Sequence, residues 1–186
     1  MEDYRSYRPD YPAALFDWLL EDADLSPGDV VVDVGCGTGI SSRQLAARGL
    51  EVIGVDPNED MLRVAREPGG AIRYVLADGE TLPLQGPVDA IVGGQSFHWL
   101  DLDRFLPRCA RLLRPGGRVV AFWNLRDGRD PMMAAYEQLL LERCPEYARV
   151  GAERRAEAVL RHPKVEDLHR ASFAHAQVLD RPGFFG

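Results

Sequence analysis

Three glycines at alternate positions, Gly35, Gly37 and Gly39, follow a short run of β-branched residues, Val30 to Val34, that contains one acid, Asp33. Residue types in this order suit ligand binding more than bond-making by a side chain. The valines read as a buried strand with two apolar faces. The glycines strip Cβ atoms from the turn that follows, so the backbone can take positive φ and lie directly against a ligand. A helix beginning near Ile40 would aim its amide-rich end into the same space. Asp33 at the strand end is costly to bury unless something pairs with it, which asks for a ligand with donors or positive charge rather than a bare phosphate. Cys36 is small enough for the turn and is not read as a catalytic thiol. The plain alternative is a glycine-rich turn with no ligand.

Spacing separates the nucleotide-binding loops. In a G-x-G-x-x-G dinucleotide fingerprint the third glycine would fall at position 40, which is Ile40. A P-loop is excluded because no Gly-Lys-Ser/Thr occurs and Lys164 is the one lysine of the chain. An acid follows at the tip of a second strand-like run, Glu51 to Val55. Asp56 lies roughly 20 residues after the loop, a spacing suited to accepting two hydrogen bonds from ribose hydroxyls; alternatively it caps the helix that starts near Asn58. Ile72 to Leu76 reads as a third strand, Val88 to Val92 as a fourth and Val119 to Trp123 as a fifth. A helix is expected over Leu102 to Leu113, and Arg114-Pro115-Gly116-Gly117-Arg118 forms the turn out of it.

D-V-G-C-G-T-G, together with these segments in order across about 95 residues and the L-R-P-G-G-x-V-V turn, resembles the class I S-adenosylmethionine-dependent methyltransferases. The resemblance implies an α/β, Rossmann-like fold with a mostly parallel sheet of order 3-2-1-4-5 and helices on both faces. It implies S-adenosyl-L-methionine as cofactor, straddling the crevice between the first and fourth strands. Cofactor contacts are then expected at Asp33, Gly35, Cys36, Gly37 and Gly39. Asp56 would hold the ribose, with Pro57 beside it and Met61 or Leu62 near the adenine. Asp78 would meet the adenine amino group, with Gly79 backbone at the ring edge and Glu80 a solvated turn residue. Gln95 and Ser96 would sit beside the methionine half. The family normally ends its sheet with an antiparallel strand pair. Ala171 to Leu179 supplies at most one member, so that pair is expected to be incomplete.

The flanks carry the acceptor-side candidates. Tyr4 to Pro12 reads Y-R-S-Y-R-P-D-Y-P, ahead of an amphipathic helix over Ala13 to Leu20 with Leu15, Phe16, Leu19 and Leu20 inward. With the F-H-W that follows the fourth strand, this arm resembles a small-molecule subgroup that includes trans-aconitate methyltransferases. The resemblance places Tyr7 and Arg8 at the cofactor and Tyr11 at the substrate; the alternative is tyrosines packed on the domain's flank. His98 is either a general base, a donor orienting the acceptor, or a packing residue beside Trp99. Trp99 and Trp123 could wall a pocket, and Asn124 and Arg126 lie at the carboxyl edge of the sheet, where Arg126 could grip a carboxylate. Asp130 to Arg161 is expected to be mostly helical, broken at Cys144-Pro145, and to cover the substrate.

With 186 residues, one domain is expected: an N-terminal arm and helix over 1–28, a cofactor core over 29–125 and a cover with the last strand over 126–186. A net charge of −7 argues against a nucleic-acid partner. No apolar run approaches the roughly 20 residues of a membrane span. Cys36, Cys109 and Cys144 have no metal spacing, and with a polar N-terminus they suggest a reducing cytoplasm. No metal site is expected, and oligomeric state is not legible. The expected activity is in-line methyl transfer to a small-molecule acceptor. The rival enzyme, a nucleotide-dependent oxidoreductase, is disfavoured by Ile40; a rival from another class is a cofactor-binding regulatory or scaffold protein without catalysis.

Overall fold

Val30–Val34, β1, is the central strand, and its successive residues meet opposite apolar layers. Val31 faces a layer with Phe16, Leu19 and Leu45. Val32 and Val34 face another with Phe97, Phe105 and Leu112. The computed structural model describes residues 10–144, 156–157 and 159–176. In chain order these form α1 (Ala13–Asp22), β1, α2 (Ile40–Ala46), β2 (Glu51–Asp56), α3 (Glu59–Arg66), β3 (Arg73–Leu76), β4 (Val88–Gly94), a 3-10 turn (Phe97–Trp99), α4 (Leu102–Leu112), β5 (Leu113–Phe122) and α5 (Pro131–Arg143). The sheet order is β3-β2-β1-β4-β5 with every pairing parallel, as expected. Strand order reverses between β1 and β4, so the loops after them part and leave a crevice at their carboxyl ends.

Two differences from the sequence expectation have local causes. β5 begins earlier, at Leu113. Leu113 pairs with Val88 and Arg118 with Ala90, so of the expected turn Arg114 to Arg118 only residues 114–117 bulge out, opposite the single residue Asp89. Asp89 holds that bulge: its Oδ1 accepts from Arg114 Nε at 2.7 Å, and its Oδ2 accepts from the Val30 amide at 2.8 Å. Residues 171–176 form no strand. There Phe173 packs on Trp18 of α1 with ring centroids 6.1 Å apart, and His169 meets Asp22 at the end of the same helix, so this stretch is anchored on the flank of α1. Residues 177–179 lie outside the described residues.

α5 starts at Pro131 behind an Asp130 cap on the Met133 amide, and it ends at the expected break before Cys144. It buries no residue, and Met132, Tyr136, Leu139 and Leu141 are exposed. No helix among the described residues is long and apolar enough to cross a membrane.

Candidate cofactor and acceptor site

An open cleft lies at the strand-order reversal, outside the carboxyl ends of β1 and β4. It is lined by Tyr11, Gly35, Cys36, Gly37, Thr38, Ile40, Ser41, Gly94, Gln95 and Asn124. The three loop glycines do different work there, although all have positive φ. A Cβ on Gly35 would stand 2.5 Å from Ser96 Cβ, and one on Gly39 would stand 2.5 Å from the Tyr74 hydroxyl. Those two glycines are therefore demanded by the protein's own packing. A Cβ on Gly37 would meet nothing within 4 Å among the described residues. Gly37 is the point at which bare backbone faces open space.

Asp56 holds that point. Its Oδ2 accepts from the Gly37 amide at 2.8 Å and its Oδ1 from the Asn58 amide at 2.9 Å. The helix cap is Asn58, whose side chain accepts from the Asp60 and Met61 amides, so the capping alternative for Asp56 falls to its neighbour. Each carboxylate oxygen has two lone-pair directions, so Asp56 keeps one on each oxygen for a further donor. Beneath the loop, Asp33 is fully buried. Its Oδ2 accepts from Ser41 Oγ at 2.7 Å and Ser42 Oγ at 2.6 Å, while its Oδ1 has no partner among the described residues. Burial pushes this carboxyl above the ordinary range; the serine hydroxyls pull it back and the nearby Asp56 charge adds to the rise. Cys36 is also buried, and desolvation raises its thiol far above the ordinary value, so it stays protonated and is no nucleophile.

The fourth-strand end closes the other side. Ser96 Oγ donates to the Val34 carbonyl at 2.6 Å, tying the two loops together. Gln95 takes φ 56° and donates its backbone amide to the Phe122 carbonyl at 2.8 Å. A Cβ on Gly94 would lie 2.6 Å from both Phe122 Cε2 and Tyr11 Oη. Tyr11 itself is buried against Phe122, edge to face at 4.7 Å.

Of the adenine-side candidates, Asp78 and Pro57 are exposed, Met61 is half-buried, and Leu62 is wholly in the core. Gly79 is buried where a Cβ would meet Leu100 at 2.8 Å and Val34 at 2.9 Å. Glu80 is more than a solvated turn residue, since its Oε1 accepts from the Asp101 amide at 2.8 Å.

The acceptor-side candidates form two groups. Tyr11 and Asn124 line the cleft. His98 and Trp123, half-buried, lie beside it in sequence and touch each other: Trp123 Nε1 donates to His98 Nδ1 at 3.3 Å. Because an indole N–H can only donate, that nitrogen carries the lone pair and the neutral ring's own N–H is on Nε2. Trp99 is 72% exposed, with its ring 4.9 Å from His98. Arg126 turns toward α5, paired with Glu137 at 3.3 Å and stacked over Tyr136 at 4.9 Å. Tyr7 and Arg8 lie outside the described residues. Thr38, Ile40, Ser41, Ser42 and Tyr74 belong to the site without having been singled out from sequence. The Ser41-Ser42 pair at the start of α2, eight and nine residues after Asp33, was the available signal. Among the described residues no group of three or more His, Cys, Asp or Glu could hold a metal ion.

Comparison with known proteins agrees with this geometry. A family model described as a methyltransferase domain matches residues 32–121. An uncharacterized methyltransferase of Mycobacterium tuberculosis is 42% identical over 127 residues, 68% of this chain and 51% of that protein. A malonyl-[acyl-carrier protein] O-methyltransferase of Serratia marcescens is 33% identical over 167 residues, 88% of this chain and 65% of that protein. Among solved structures, one from Anaeromyxobacter dehalogenans, described as a type II methyltransferase, superposes with a TM-score of 0.62 at 36% identity, covering 73% of this chain and 59% of that one. The chain thus spans about half the length of the mycobacterial relative.

Proposed function

The chain belongs to the class I S-adenosylmethionine-dependent methyltransferases, and from that premise we propose that it methylates a carboxylate oxygen of a small molecule. The observation that carries the cofactor half is Gly37, where a Cβ would meet nothing within 4 Å among the described residues and whose amide donates to the Asp56 carboxylate at 2.8 Å. In this proposal residues 29–125 form the cofactor core, 1–28 the arm, and 126–186 the acceptor cover, all within one domain.

The cofactor, when bound, supplies a methyl group already activated on a cationic sulfur. The chain's own share is binding, orientation and exclusion of water. Asp56 accepts from the sugar hydroxyls with its remaining lone pairs. Gly35, Cys36, Gly37 and Gly39 give the backbone surface, and Asp33 supplies a buried acceptor for a donor or an intervening water. Pro57, Met61, Asp78 and Gly79 flank the base. Gln95, Ser96, Tyr7 and Arg8 border the amino-acid half. Tyr11, Trp99, Trp123, Asn124 and Arg126 border the acceptor.

Within this reading His98 is a donor, not a base. To accept a proton at Nε2, the ring would need an N–H on Nδ1, pointed at the Trp123 N–H. A carboxylate acceptor matches that role, because its oxygen is already ionised near neutral pH and needs only a hydrogen bond to hold it. The Serratia relative is named a malonyl-[acyl-carrier protein] O-methyltransferase, which supports a carboxylate oxygen as the acceptor atom.

The test is methyl transfer from labelled cofactor to malonyl thioesters and small dicarboxylates, with His98→Gln and His98→Asn beside the wild type. The expected product is a base-labile methyl ester. Gln, whose amide nitrogen reaches the position of Nε2, keeps most of the activity, and Asn loses about 10-fold or more, the worth of one hydrogen bond to a charged group. Label in a base-stable product, or equal loss in both variants, would contradict the carboxylate–donor reading.

A further inference from the structure

Gln44 holds the cleft wall from behind. It lies on α2, whose first residues Ile40 and Ser41 line the cleft. One turn further along, its side-chain amide meets the main chain of Tyr11 twice: Oε1 accepts from the Tyr11 amide at 3.2 Å, and Nε2 donates to the Tyr11 carbonyl at 2.8 Å. Both backbone polar groups of Tyr11 are satisfied by one residue 33 positions away in sequence. Arg48, the next turn, continues the attachment: its guanidinium donates to Gln44 O at 3.0 Å and Ala13 O at 3.1 Å, and lies 4.9 Å above the Phe16 ring. Tyr11 is thereby fixed where its ring walls the cleft, its hydroxyl filling the space that a Cβ on Gly94 would need.

We propose that Gln44 is a positioning residue for the cofactor site, acting through Tyr11, which borders the acceptor in the same cleft that Gly35 and Gly37 line: it couples the helix that leaves the glycine loop to that aromatic wall. The inference rests on the reading of the cleft as the cofactor site. The amide is the reason for the residue type. A carboxylate accepts from Tyr11 N but cannot donate to Tyr11 O, and an aliphatic side chain does neither. With both bonds gone, the Tyr11 backbone loses its register and the ring no longer closes the cleft.

The experiment is calorimetric titration of S-adenosylhomocysteine into the full chain as wild type, Gln44→Glu, Gln44→Met, Tyr11→Leu and the Gln44→Met/Tyr11→Leu pair, with thermal unfolding of each. Gln44→Met is expected to weaken binding about 5- to 10-fold, a fraction of the worth of two hydrogen bonds, and Gln44→Glu by less. In the Tyr11→Leu background Gln44→Met is expected to leave affinity unchanged, because the ring it positions is gone, while still lowering the unfolding temperature. A Gln44→Met chain that is less stable but binds as tightly as wild type overturns the inference alone, as does an equal loss in both backgrounds. If Tyr11→Leu does not fold, Tyr11→Phe takes its place, with the loss on Gln44→Met again required. A folded wild type that takes up no S-adenosylhomocysteine removes the cofactor reading and this inference with it.

Discussion

Asp33 illustrates how a single residue can be wrong for stability and right for binding. Burial raises its carboxyl above the ordinary value of 3.8, with two serine hydroxyls opposing and the Asp56 charge reinforcing the rise. The folded state therefore holds the proton more tightly than the unfolded chain does. The Asp33 contribution to stability is fully present below the ordinary value of 3.8 and is lost as pH rises through the raised folded value. Denaturation of wild type and Asp33→Asn from about pH 4 to about pH 8 checks this: the wild-type advantage should shrink, or reverse, as pH rises, and a pH-independent difference would contradict it. The glycines make a second case at this scale. Gly37→Ala should cost about 1–2 kcal/mol in urea denaturation, the left-handed backbone penalty alone, whereas Gly39→Ala should cost more, because a methyl there also meets Tyr74 Oη at 2.5 Å. In ligand titrations the order should invert, Gly37→Ala being the more harmful. The glycine loop and Asp56 were legible because their chemistry is local to a few positions. Gln44 was not, since an amide facing solvent and an amide clipping a distant backbone read alike in sequence.

Elements were read well where two faces of a strand had to be apolar, and less well where a tertiary partner intervened. The helix over Leu102–Leu112 contains Pro107, which removes the amide that would have bonded the Asp103 carbonyl. Lys164 repairs this from 61 residues away: its Nζ donates to the Asp103 carbonyl at 3.2 Å and to the Asp103 carboxylate at 2.6 Å. That lysine holds the Asp103 carboxyl below its ordinary range. Lys164→Met should therefore lower the unfolding midpoint more than Asp103→Asn does, because only the lysine variant also strips the carbonyl of its donor; equal losses, measured by thermal unfolding, would show that the carbonyl bond contributes nothing. The bulge at Arg114 to Gly117 and the strandless stretch 171–176 were illegible for the same reason. Each is set by one partner, Asp89 in the first case and the α1 flank in the second.

At the scale of the whole molecule, the parallel order β3-β2-β1-β4-β5 dictates where a ligand can sit before any side chain is considered. The sequence disclosed that order through five strand-like runs separated by helical spacing. It disclosed the cofactor side of the cleft, which is built by contiguous loops, more fully than the acceptor side. There His98, Trp123 and Asn124 come from two loops, and Arg126 is engaged by α5. In the proposed binding mode the adenosine sugar is held at Asp56, beside Gly37. Calorimetric titration of S-adenosylhomocysteine into wild type and Asp56→Asn tests it most directly. The wild type should bind, and the variant should lose about 10- to 100-fold, the effect of hydrogen bonds to a charged group worth roughly 1.5–3 kcal/mol. Equal affinity in the two proteins, both folded, would contradict it.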